Sequence, residues 1–167
     1  PNAEPYELKK SIRLCVSNET MSPEKVRVFW ELRDNTSAVL RSGQQEAKVD
    51  AMSCVWLERE QFDDADEFSN YVSYRMEKDG EEISGGSVLF TVPKFFRLAD
   101  PKLQDSVDGD GIVVSSENYA RAVEIRNKDD NLILSDNFFD MNAGKKRVKI
   151  LRGEPDMLEV RSAYNIR

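Results

Sequence analysis

What most constrains this chain is an alternation of period two that recurs in short runs, with almost no apolar stripe at helical spacing. In the clearest run, Val26, Val28, Trp30 and Leu32 alternate with Arg27, Phe29, Glu31 and Arg33, and Asp34-Asn35 ends it. Successive side chains on a strand leave opposite faces, so such a run offers one face to a core and one to water. Ile12, Leu14 and Val16 alternate in the same way with Arg13, Cys15 and Ser17 before the turn formers of residues 18–23. Shorter runs follow at 39–42, 46–49 and 53–57. Val72, Tyr74 and Met76 then lead into Lys78-Asp79-Gly80, a turn of hairpin type, with Ile83 and residues 87–92 as the return strand. This is about seven strands in about ninety residues. Only residues 61–70 read as a helical turn or two.

Residues 93–101 carry a proline at each end, which limits ladder hydrogen bonding, so a domain boundary is expected there. Beyond it, residues 103–108 and 112–116 flank Gly109-Asp110-Gly111, residues 120–126 and 132–135 flank a polar stretch, and residues 147–152 and 157–162 flank Gly153-Glu154-Pro155-Asp156. These read as three hairpins. The expected fold is all-β: two tandem immunoglobulin-like antiparallel sandwiches, residues 1–93 and 94–167.

Between the second and third hairpins lies Ser-Asp-Asn-Phe-Phe-Asp-Met-Asn-Ala-Gly, residues 135–144. Phe138 and Phe139 are adjacent, so on an extended strand only one enters the core of its own sheet and the other needs a second apolar surface. Phe95 and Phe96 sit at the boundary. These four phenylalanines are the candidates for holding sandwich to sandwich, or the sandwiches to a further domain.

Composition excludes several functions. The chain of 167 residues has a formal net charge of -7 and a pI near 4.8, with no Lys/Arg cluster, which argues against nucleic acid or an anionic membrane as partner. It has no histidine, which removes Ser-His and Cys-His nucleophilic centres and histidine metal sites. No run of about 18 apolar residues and no basic-then-apolar start is present, so neither a membrane helix nor a signal peptide is expected. A start at Pro1 fits a processed protein or an excised piece. Cys15 and Cys54 could pair after export, but two thiols outside a CxxC spacing make no disulfide framework. Asn18-Glu19-Thr20 and Asn35-Thr36-Ser37 match the glycosylation pattern, which is too short to decide anything.

No residue stands out as catalytic, cofactor-binding or metal-ligating. The acidic residues 63–67 read as a solvated loop. Asp105 with Asp108-Gly109-Asp110-Gly111 fails the twelve-residue calcium pattern and reads as a tight turn. The 31 acidic residues contain no distinguished carboxylate pair of glycosidase type, and most fall at turns or on polar strand faces. Trp30 reads as core. Trp56 shares a face with Met52 and Cys54. It is a weak candidate for sugar contact beside the commoner uses of a large amphipathic ring, filling a core or covering a neighbour.

Read together, several segments resemble the C-terminal region of β-mannosidases in family 2 of the glycoside hydrolases. Val16-Ser17-Asn18-Glu19-Thr20, Val28-Phe29-Trp30-Glu31-Leu32-Arg33-Asp34 and Phe90-Thr91-Val92-Pro93-Lys94 are similar to the immunoglobulin-like domain that follows the catalytic barrel there. Leu98-Ala99-Asp100-Pro101, Val107-Asp108-Gly109-Asp110-Gly111 and Ser135-Asp136-Asn137-Phe138-Phe139-Asp140-Met141 with Gly144 resemble the terminal domain. The resemblance implies a non-catalytic part of a retaining exoglycosidase, whose barrel of about 250 residues is absent here. It implies as partners the barrel and other domains of the parent chain, with export of that parent to an extracellular, periplasmic or lysosomal space. It implies no cofactor. A carbohydrate-binding accessory module, which would take an oligosaccharide as partner, is the alternative; a cell-surface adhesion protein built from the same sandwiches is a third.

Overall fold

The structure is a computed structural model describing residues 10–166; Pro1 and the outer ends of the two expected spans lie outside the described residues. The first part contains β1 (Ser11–Ile12), β2 (Cys15–Asn18), β3 (Glu24–Asp34), β4 (Val39–Val49), β5 (Ser53–Trp56), β6 (Glu60–Gln61), β7 (Asn70–Lys78) and β8 (Glu81–Leu89). A four-stranded antiparallel sheet in the order β4-β3-β7-β8 forms one layer, and the pairs β2-β5 and β1-β6 form the other. Alternation on β3 does what its pattern requires: Val26, Val28, Trp30 and Leu32 are buried. They meet Val16 and Leu57 towards one end, and Ile12, Phe62 and Val72 towards the other.

Three local readings change. The two runs at 39–42 and 46–49 are one continuous strand, β4, because the intervening polar residues keep the ladder with β3. Gly43 belongs there for a packing reason. It faces Trp30 in register, and a Cβ on it would lie 2.4 Å from the indole Cζ2, so the ring needs the bare backbone. The first run, by contrast, splits: β1 pairs β6 while β2 pairs β5, with Leu57 N–H donating to Leu14 O at the switch. Residues 61–70 form no α-helix: the two end residues belong to β6 and β7, and turns lie between them. Asp66 holds them, its carboxylate accepting from Phe68 N–H (3.0 Å) and Ser69 Oγ (2.7 Å). The hairpin turn at Asp79-Gly80 forms, with both residues at positive φ (53° and 85°), as a two-residue primed turn requires.

The second part contains β9 (Gln104–Asp108), β10 (Gly111–Ser116), β11 (Ala120–Arg126), β12 (Ile133–Leu134), β13 (Phe139–Met141), β14 (Gly144–Arg152) and β15 (Glu159–Arg161). Sheets β12-β14-β10-β9 and β13-β11-β15 enclose Ile112, Val114, Val123, Ile125, Phe139 and Val148. Of the three expected hairpins only β9-β10 forms. β11 pairs β13 and β15, and β12 pairs β14, so the second and third hairpins are replaced by crossings between the sheets. Two polar loops at one end make those crossings together. Asn127 Nδ2 donates to Glu154 O (3.0 Å), and Lys128 N–H to Asp156 O (3.4 Å). The chain is thus two tandem immunoglobulin-like antiparallel sandwiches.

Candidate functional site

The densest polar and aromatic cluster lies where the two sandwiches meet. Tyr71, at the start of β7, points to the outer face of the first sheet opposite Leu89. Tyr119 precedes β11. The two phenol rings stack with centroids 3.8 Å apart, and Phe96 meets both edge-on at 6.3 and 5.9 Å. All three are buried. Such arrangements add about 0.5–1.5 kcal/mol per ring pair beyond the area they bury.

Two hydrogen-bond chains flank the rings. Tyr71 Oη donates to Asn142 Oδ1 (2.7 Å), so the Ser37 hydroxyl, 3.0 Å away, must donate to Tyr71. Ser37 Oγ in turn accepts from Ala143 N–H at 2.9 Å. On the other side, Asp140 gathers donors: Ala122 N–H at 2.8 Å, Tyr119 Oη and Arg121 Nη1 at 3.2 Å each, and the Ser87 hydroxyl. Asn35 Nδ2 donates to Arg97 O (2.7 Å), while Arg97 N–H donates to Phe68 O (2.7 Å). Desolvation, then the Asp140 carboxylate, pushes Tyr119 up to about 12. Desolvation likewise raises Tyr71. Both phenols are structural donors, and no nucleophile-base pair is assembled among them.

The sequence-derived candidates take different places. Phe96 is fully buried, edge-on to the stacked Tyr71 and Tyr119, whereas Phe95 is exposed with Lys94 at 4.7 Å over its ring. Phe139 enters the core of the second sandwich, and Phe138 stands outside it. The split does not come from strand alternation, because Phe138 precedes β13 with a left-handed backbone, φ 59°. Trp56 is exposed on β5, opposite Cys15, with the Arg13 guanidinium 5.6 Å from its ring centre. Cys15 and Cys54 are free and exposed. Among the described residues no group of His, Cys, Asp and Glu could hold a metal ion. The acidic turn at Asp108 and Asp110 is instead closed by Arg147, which lies 2.6 Å from Asp110 and holds its carboxyl below the usual range. The Asn18 amide is buried and donates to three carbonyls, of Ser22, Val49 and Asp50, so this glycosylation pattern is a structural tie in the folded chain.

Sequence reasoning missed Tyr71, Tyr119, Ser37, Asn142 and Asp140. One signal was available: Tyr71 and Leu89 put apolar groups on the face of the first sheet that the alternation assigns to water.

Residues 10–94 match the family model of the mannosidase Ig/CBM-like domain, and residues 98–166 match that of an Ig-fold domain of mannosidases. The chain belongs to the mannosidase Ig/CBM-like family. Among solved structures, a β-D-mannosidase from Dictyoglomus thermophilum superposes on this mannosidase Ig/CBM-like chain with a TM-score of 0.72 at 14% identity, over 93% of this chain and 21% of the other. The exo-chitosanase of Amycolatopsis orientalis gives 0.56 at 10% identity, over 89% and 25%. Identities this low carry the fold alone. The chain therefore spans about a fifth to a quarter of the length of the solved chains it matches. No curated protein matches it. Immunoglobulin-like domains of mannosidase-type glycoside hydrolases are accessory and non-catalytic.

Proposed function

We propose that this chain is the non-catalytic C-terminal region of a β-mannosidase-type family 2 glycoside hydrolase, and that its two sandwiches act as one rigid support packed against a catalytic barrel. The observation that carries this is the junction. Buried Phe96, Tyr71 and Tyr119, flanked by the Ser37-Tyr71-Asn142 and Ser87-Asp140-Tyr119 hydrogen bonds, fix one sandwich to the other. A support transmits position only if its parts do not hinge, and a buried, fully bonded junction of this kind resists hinging. The division at residues 93 and 94 is part of the proposal, since Pro93 opens the short turn that delivers Phe96 into the junction.

Purified chain incubated with an aryl β-mannoside is expected to release no product above a blank. Measurable turnover by the chain alone would overturn the non-catalytic reading. Removing these residues from the parent hydrolase is expected to lower its melting temperature; an unchanged value would overturn the supporting role.

A further inference from the structure

The pair β2-β5 turns an unusual face outward. Cys15 lies opposite Trp56 and Ser17 opposite Cys54, and residues opposite one another in a ladder share a face. All four are exposed, Trp56 by 56%, while Val16 between them turns into the core with Val26 and Val28. At one end Met52 N–H donates to Thr20 O (3.1 Å), which brings exposed Met52 to the turn that carries exposed Met21. At the other end the Arg13 guanidinium lies over the indole. Between Arg13 and Glu19 this face carries no charged residue, in a chain that is 33% charged.

The other sheet faces differ. Lys25 and Glu46 stand on the outer face of the first sheet, Arg147 and Lys149 on β14, and the Arg161–Glu124 pair on β15 and β11. A charge-free surface of Trp and Met with Arg at its edge has the composition of the centre of a protein interface, where Trp and Arg most often carry the energy. The thiols point the same way. Left in water they are open to oxidation, and a covering surface removes that exposure. The exposed rings of Phe95 and Phe138 lack such surroundings: Lys94 lies over the first, and the second shares its cleft with Arg121, Lys145 and Lys146.

Position in the molecule names the occupant. The second sandwich takes the outer face of the first sheet around Tyr71 and Ser87, so the β2-β5 side is the broad face of the first sandwich that nothing covers among the described residues. In a chain that follows a barrel, the barrel connects through β1, which leads directly into β2. The remainder of such a parent is several times larger than this chain. We propose that the face made by Cys15, Ser17, Cys54 and Trp56 is where this chain docks on the catalytic barrel of its parent, with Trp56 as the anchor and Met21 and Met52 at the rim. This rests on the supporting role and adds the face through which it acts.

The two thiols report whether the face is covered. The parent hydrolase and this chain alone are to be treated with N-ethylmaleimide, and the rate at Cys15 and Cys54 read by peptide mass spectrometry. Both thiols are expected to react at least about tenfold more slowly in the parent. Trp56→Ala in the parent is expected to restore their reactivity and lower the melting temperature, and Trp56→Phe to do both to a smaller extent. In this chain alone, where the ring is exposed, Trp56→Ala should leave the melting temperature unchanged. Equal reaction in parent and chain would overturn the proposal, as would equal losses of melting temperature from Trp56→Ala in both. Protection that grows with the concentration of this chain alone would assign the face to a second copy and overturn it too. The supporting role fails separately, if the parent keeps its melting temperature without these residues; a lowered melting temperature with both thiols reactive would keep the support and place it on another face.

Discussion

Phe96→Ala tests whether the junction makes two sandwiches into one body. Phe96 is fully buried, and both of its ring partners come from other segments, Tyr71 from the first sandwich and Tyr119 from the second. Truncation to Ala removes the transfer free energy of a buried aromatic side chain, about 1.5–3 kcal/mol. It also leaves a cavity under a stacked tyrosine pair that cannot collapse, because each hydroxyl is tied to its own hydrogen-bond chain. With the cavity included, losses for buried phenylalanine run at about 3–5 kcal/mol, and the pinned rings put this site in the upper half of that range.

The location of the loss matters as much as its size. Phe96 belongs to neither main core, so the packing of Ile112 and Val123 in one sandwich, and of Val28 and Leu32 in the other, is untouched. Equilibrium urea unfolding, followed by far-ultraviolet circular dichroism and by tryptophan fluorescence, separates the cases, since both tryptophans lie in the first sandwich. The parent chain is expected to give coincident transitions. The variant is expected to give two, with the fluorescence and dichroism curves no longer superposing. Coincident curves with a loss under about 1 kcal/mol would refute the reasoning, because the ring would then contribute no more than a typical surface residue.

Phe139→Ala is expected to destabilise by about 3–5 kcal/mol and Phe138→Ala by less than about 0.5, measured as shifts in urea midpoint; comparable losses would contradict their opposite placements. Gly43→Ala drives a methyl to 2.4 Å from the Trp30 ring, so a loss of about 1–3 kcal/mol with a red-shifted emission is expected. Tyr119, held near 12, and Tyr71, also raised, keep phenolic protons that the unfolded chain releases from about pH 10. The Tyr119 contribution is therefore fully present below pH 10 and is lost as pH rises through 12, worth about 3 kcal/mol, and that of Tyr71 changes in the same direction. Thermal melts from pH 9 to 12 should steepen accordingly, and Tyr119→Phe should flatten that slope.

The parts of this molecule legible in its sequence are those fixed by nearest neighbours. The inward residues of β3, the Asp79-Gly80 turn and the all-β class follow from side-chain alternation and local backbone preference, and these act within a few residues. What was illegible depends on partners far along the chain. Nothing local in residues 120–135 says that β11 will pair with β15 and not with β12; that pairing goes with contacts such as the Asn127–Glu154 hydrogen bond, across 27 positions. Ser37 and Ala143 are 106 positions apart. The phenylalanine pair lies between these extremes. Strand alternation predicts opposite placement of Phe138 and Phe139, but the structure reaches it by another route: Phe138 lies outside β13 at φ 59°, between Asn137 bonded to Ile125 and Phe139 in the ladder with Val123.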